Sequence, residues 1–213
     1  MKIQDRFIEY IKIDTQSAYN PKSVPSTEKQ RDLAVLLERQ LKEMGAKDVY
    51  ISDECCLYGR MEANYENCKA PKIGFCAHMD TTPELCGKDI NPRIVENYDG
   101  KDIVLNEEAG IVMERDKFDH LGLYVGDDLI VTDGLTLLGA DDKAGAAEIM
   151  QMLEYFYEHP EVKHGEIQLF FTPDEEVGCL GANIVDTTRF NPDFAYTLDA
   201  YGLGEYLSLI HIS

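Results

Sequence analysis

Four short blocks hold the residues whose types and spacing could do chemistry: His78-Met79-Asp80, Asp141-Asp142-Lys143, Asp174-Glu175-Glu176 and Leu198-Asp199. Each follows an apolar run and is bordered by turn-forming or small residues. Carboxylates gathered this densely need cations to neutralise them. Two divalent ions about 3.5–4 Å apart can clamp a water and lower its pKa, and each needs an open position beside its protein ligands. A carboxylate can bridge two ions through its two oxygens, which an imidazole cannot do. His78, Asp141, Glu176 and Asp199 would supply one nitrogen and three carboxylate ligands. Glu175 and Glu176 are adjacent and point in different directions, so one can ligate while Glu175 acts as general base. Asp80, two residues beyond His78 on an extended segment, could accept the His78 ring N–H and fix its tautomer.

Each block taken alone has a plainer reading. His78 could be a satisfied core histidine. Asp141-Asp142 could cap the following helix, where carboxylates are favoured. Asp174-Glu175-Glu176 could be a solvated turn, and Asp199 another cap. Their coincidence at the ends of apolar runs favours one metal-binding crevice and metal-assisted hydrolysis. Competing chemistries lack their patterns: Leu138-Gly139-Ala140-Asp141-Asp142-Lys143-Ala144 does not have phosphate-loop spacing, there is no Gly-x-Ser-x-Gly elbow, and there is no HExxH.

The elements that must position these blocks are legible in the hydrophobic pattern. Ile3, Phe7 and Ile11 lie on one helical face. A second helix is predicted from a Thr27/Gln30 capping box, through the stripe Leu33, Leu36, Leu37, Leu41 and Met44, to a stop at Gly45. Val49-Tyr50-Ile51 and Leu57-Tyr58-Gly59-Arg60-Met61 read as strands of a hairpin. Lys72-Ile73-Gly74-Phe75-Cys76-Ala77 reads as a buried central strand delivering His78. Residues 83–128 read as a long excursion containing an edge hairpin, and Leu129-Ile130-Val131 as a further strand. A helix after Asp141 carries Ile149, Met152, Leu153, Phe156 and Tyr157 and ends at His159-Pro160. Ile167 to Thr172 and Phe194 to Leu198 read as strands leading to the last two blocks. The alternation predicts an α/β fold with a mixed, mainly parallel sheet covered on both faces. Ligands then sit beyond the carboxyl ends of the strands, where all four blocks are expected.

With 20 Lys+Arg against 40 Asp+Glu, the net charge is −20 and the pI near 4.5. Such a surface repels nucleic acid and anionic lipid, so neither is an expected partner. No apolar stretch is long enough to span a membrane. The N-terminus lacks the apolar core of a signal peptide, and the six cysteines show no framework. A cytoplasmic protein with free thiols is expected.

The blocks resemble the aminoacylase/carboxypeptidase G superfamily of co-catalytic zinc peptidases, and within it the tripeptide aminopeptidases. The resemblance rests on residues 74–81 (Gly-Phe-Cys-Ala-His-Met-Asp-Thr), residues 91–98 (Asn-Pro-Arg-Ile-Val-Glu-Asn-Tyr), Thr132-Asp133-Gly134 with residues 136–145 (Thr-Leu-Leu-Gly-Ala-Asp-Asp-Lys-Ala-Gly), and residues 171–178 (Phe-Thr-Pro-Asp-Glu-Glu-Val-Gly). It implies a three-layer α/β/α catalytic domain over residues 1–205. It implies two Zn²⁺ per complete subunit: His78 and Asp199 on one, Asp141 bridging, Glu176 on the other. Glu175 is implied as general base and Asp80 as the residue orienting His78. The implied reaction releases the N-terminal residue from tripeptides.

Two departures stand against that pattern. Ala200-Tyr201 follow Asp199 where glycines are usual. Family members are about twice as long, with a lid or dimerisation domain and a returning segment that carries a second-zinc histidine. The expectation is therefore an incomplete catalytic domain, with an unrelated tail over 206–213, a nearly inactive chain, and a homodimer for the complete protein. His211 in that tail lacks the strand-end context of a replacement ligand. A dipeptidase or N-acyl-amino-acid hydrolase of the same superfamily, or a non-catalytic metal-binding module, are the rival readings. Carboxylate-rich sites also accept manganese or cobalt.

Overall fold

Helix α1 (Ile3–Ile11) turns Phe7, Tyr10 and Ile11 inward. Helix α2 (Lys29–Met44) buries Leu33, Leu37 and Leu41 and stops at Gly45, whose φ of 100° only glycine adopts without strain. Helix α3 (Ala140–Glu158) presents Ala146, Ile149, Met150 and Leu153. In this computed structural model, which describes residues 1–199, the three helices share one core with the inward residues of the sheet: Leu57, Met61, Ala77, Ile167, Leu169 and Phe171. Each fully buried leucine there contributes about 1.5–3 kcal/mol. The opposite face, with Tyr58, Phe170 and Cys76, is covered by Val185 and Phe190.

The main sheet has five strands: β1 (Lys47–Ile51), β2 (Leu57–Met61), β3 (Ile73–His78), β8 (Ile167–Thr172) and β9 (Phe194–Thr197). Their order is β1-β2-β8-β3-β9. The sheet is mixed: β3 pairs parallel with β8 and β9, while β2 pairs antiparallel with β1 and β8. Register aligns His78 with Thr172, and Cys76 with Thr197. Three chain segments therefore leave the sheet at one level, carrying His78, Asp174-Glu175-Glu176 and Asp199.

Three expectations are corrected. The capping box at Thr27/Gln30 does not form. The Thr27 hydroxyl donates to the Gln16 carbonyl at 2.7 Å and the Gln30 amide donates to Asp174 at 2.6 Å, so both side chains are drawn elsewhere. Residues 83–131 add nothing to the main sheet. β4 (Arg93–Val95) pairs with β7 (Leu129–Val131), and β5 (Ile103–Asn106) with β6 (Ile111–Met113), as two separate two-stranded sheets around Tyr98, Ile103 and Leu121. Consequently Asp141 does not follow a strand of the main sheet. It stands at the start of α3, which packs across β3. The expected domain end at 205, Ala200-Tyr201, the 206–213 tail and His211 lie outside the described residues.

Candidate metal centre

Strand β3 is the reference point, because its last residue, His78, is almost wholly buried. Its Nε2 lies 2.7 Å from Asp141 Oδ1, 3.8 Å from Asp199 Oδ2 and 4.0 Å from Glu175 Oε2. Its Nδ1 lies 3.0 Å from the Asp80 carbonyl oxygen and 3.3 Å from Asp80 Oδ1. Donor atoms of His78, Asp141 and Glu176 fall within 4.8 Å of one another, as do those of His78, Asp142 and Asp199. The structure thus brings together every residue singled out from the sequence: His78, Asp80, Asp141, Glu175, Glu176 and Asp199.

Asp142 is the addition that sequence reasoning missed. Both Asp141 and Asp142 have non-helical backbone, so the regular turns of α3 begin after them. Asp142 Oδ1 accepts the Gly145 N–H at 3.1 Å, an N-cap bond. Its Oδ2 accepts the His78 N–H at 3.3 Å. The helix-capping reading of this block is therefore correct for one aspartate, while its neighbour faces His78. The available signal was the doublet itself, since a cap needs only one of the two.

Hydrogen bonding sorts the acids. Asp80 accepts the Glu175 N–H at 2.9 Å through Oδ1 and the Glu176 N–H at 3.2 Å through Oδ2. Asp142 is spent on His78 and Gly145, and Asp174 on Ser26 and Gln30. Among the described residues, no backbone N–H claims the carboxylates of Asp141, Glu175, Glu176 or Asp199. These four face the crevice. Glu175 Oε1 also accepts from the Cys179 thiol at 3.3 Å.

The electrostatics show a crowded anionic pocket. Burial disfavours a charged imidazole at His78, but hydrogen bonds to Asp141 and Asp80 and the Asp80 and Asp142 charges outweigh it and push the pKa up to about 11. The same hydrogen bond holds Asp141 below the usual carboxylate range. Burial pushes Asp142 up to about 8. Burial, then the Asp141 charge, raises Glu176 and Asp199. Lys143, fully buried with its Nζ donating to the Ile13 carbonyl at 2.8 Å, is pulled down by burial to about 8. A nitrogen donor among unclaimed carboxylate oxygens is a donor set that suits zinc, manganese or cobalt.

An α/β fold thus sets a histidine–carboxylate cluster beyond its parallel strands, with donor atoms close enough to hold a metal ion. The chain is similar to several known proteins. A family model described as M42 glutamyl aminopeptidase matches residues 112–210. Over 203 residues, 95% of the chain, the sequence is 52% identical to peptidase T of Clostridium botulinum strain Hall, covering 49% of that protein. By sequence, then, the chain is related to peptidase T, and it spans about half the length of the curated relatives it matches. The crystal structure of aminopeptidase PepT from Bacillus cereus ATCC 10987 superposes with a TM-score of 0.66 at 24% identity, over 94% of this chain and 43% of that one. A tripeptidase from Staphylococcus aureus gives 0.65 at 23% identity, over 94% and 43%. These two likenesses establish the shared fold.

Proposed function

We propose that the cluster is a dinuclear zinc centre and that the activity it serves is release of the N-terminal residue from tripeptides. The observation that carries this is the convergence of Asp141, Glu175 and Asp199 on His78 Nε2, at 2.7–4.0 Å. His78 and Asp199 would hold one ion, Glu176 the other, and Asp141 both. Ions bound there would supply a water of lowered pKa and polarise the scissile carbonyl.

The remaining steps belong to the protein. Glu175, unclaimed by any described backbone N–H, takes a proton from the attacking water and returns it to the leaving amine nitrogen. Asp80 fixes the His78 tautomer with its ring-facing oxygen and sets Glu175 and Glu176 through their N–H groups. The relationship to peptidase T supports the tripeptide substrate. Six unpaired cysteines fit a cytoplasmic setting, and among the described residues no helix is long and apolar enough to cross a membrane. The dimer expected from the resemblance is carried with this proposal and is read from mass in solution.

The test is metal titration with a substrate panel on the full-length protein. Two ions per subunit, cleavage of free-amine tripeptides, and loss of turnover with metal retained in Glu175→Gln are expected. Cleavage of N-acylated substrates alone would favour the acyl-hydrolase reading. Unaltered turnover in Glu175→Gln would leave only a metal-binding module.

A further inference from the structure

Asp174 belongs to neither candidate ligand cluster, yet it is completely buried. Its backbone sits in the left-handed region at φ 55°, which aspartate tolerates better than most residues. Every polar group it has is committed. Oδ2 accepts the Ser26 N–H at 2.6 Å; Oδ1 accepts the Ser26 hydroxyl at 2.5 Å and the Gln30 Nε2–H at 2.6 Å. Its own N–H donates to Gln30 Oε1 at 3.1 Å, and its carbonyl accepts the Leu180 N–H at 2.9 Å. Gln30 is fully buried too, and the Ser26 hydroxyl is further tied by the Ala18 N–H at 2.9 Å.

We infer that Asp174 is a positioning residue for the metal centre, resting on the reading of that centre given above. The next two residues, Glu175 and Glu176, are gripped through their N–H groups by Asp80 from the end of β3. Asp174 is a second hold on the same turn, fastening it to Ser26 and to Gln30 in the first turn of α2. A turn held at one point only can rotate about that point. Two clamps fix both carboxylates relative to His78. The first turn of α2 thus sets the aim of the Glu175–Glu176 pair, 144 to 148 residues away in sequence. A charge-assisted clamp of this kind is directional, because the acid must accept three donors while its own N–H donates back.

The test is Co²⁺ binding by the 213-residue chain, followed by its visible absorption, beside hydrogen exchange at Glu175 and Glu176. Asp174→Asn turns one acceptor into a donor facing the Gln30 amide. It is expected to weaken Co²⁺ binding about 10–100-fold, as loss of a ligand-orienting partner does, and to lower exchange protection of both amides. The exchange Asp174→Asn with Gln30→Glu restores a donor–acceptor match, and should recover most of that affinity. A purely packing role would not be rescued by reversing the polarity. Affinity and protection in Asp174→Asn within threefold of the parent would overturn the inference. If that variant does not fold, Ser26→Ala decides it: a measurable loss of protection at Glu175 and Glu176 is expected, and parental protection overturns the clamp. If the parent chain takes up no Co²⁺, the exchange data alone judge the clamp, and titration of the full-length protein judges the metal reading.

Discussion

Asp80→Asn is the perturbation with the most legible consequence. Asp80 is fully buried, and each of its oxygens accepts one N–H, from Glu175 and from Glu176. Hydrogen bonds to a charged group contribute about 1.5–3 kcal/mol each. Asparagine keeps one acceptor, so one such bond is lost. Its NH₂ must then face an N–H, leaving a buried donor unmet at a further cost of about 1–3 kcal/mol. Removing the Asp80 charge relieves Glu176, which that charge raises, and returns part of this. The net expectation is a loss of about 2–4 kcal/mol, a large share of the roughly 5–15 kcal/mol that holds a domain together. Urea unfolding of the metal-free chain measures it. The same turn carries Glu176, so metal affinity should fall by about 10–100-fold as well, measured by competition with a chelating dye. A stability change below about 1 kcal/mol together with unchanged affinity would show that Asp80 does not hold the pair, and the argument from its two hydrogen bonds would be wrong.

Metal uptake should release protons. In the metal-free chain, His78, with its pKa pushed up to about 11, holds a proton at neutral pH that an ion on Nε2 must displace. Affinity therefore rises with pH, and calorimetry in buffers of different ionisation enthalpy should show at least one proton released at pH 7; none would contradict the geometry. Gly145→Ala places a methyl group against the Leu198 carbonyl and the Asp142 carboxylate. It should destabilise by about 1–3 kcal/mol through overpacking and lower the urea midpoint, which an unstrained site would leave unchanged. Glu154 meets the N-terminal ammonium and Arg6, each at 3.0 Å. Burial opposes its charge, but these partners hold its pKa below the usual carboxylate value. Its contribution is present above the unfolded pKa and is lost as pH falls through the folded one. Glu154→Gln should thus cost about 1 kcal/mol at pH 7 and progressively less below pH 4, by urea midpoints at each pH; an equal cost at both would refute the pairing.

Much of this arrangement is legible in the sequence because it follows from short-range rules. The apolar run 73–77 could only be a buried strand, and its end had to deliver His78. The stripe Leu33, Leu37 and Leu41 with Gly45 defined α2 to within a residue or two at its C-terminus. Its N-terminus was misread because Thr27 and Gln30 have the right types for a capping box but find stronger partners, the Gln16 carbonyl and the Asp174 carboxylate. Those partners are distant in sequence, and no local pattern shows them. The same holds for Asp141. Its preceding strand, Leu129–Val131, pairs with Arg93–Val95 instead of the main sheet, so Asp141 reaches His78 from the start of α3 and not from a strand end. Periodicity fixes which face of a strand is apolar. It does not say which sheet the strand joins.

The hydrogen bonds also explain how so many acids can lie together. Asp80 and Asp174 have their charge met by N–H groups of Glu175, Glu176 and Ser26, and Asp142, raised by burial, is held by those of His78 and Gly145. Backbone donors cannot leave, and they are in place before any ion arrives. These three acids are therefore part of the scaffold and stiffen the turn, the strand end and the helix start. Asp141, Glu176 and Asp199 are left over, and their mutual repulsion is what a divalent ion would relieve. In small zinc domains the binding energy of the metal is the folding energy. Here the core of α1, α2, α3 and the sheet carries the fold, and the scaffold acids orient the rest. Ion binding can then act on the electrostatics of a pre-formed site instead of on the existence of the structure.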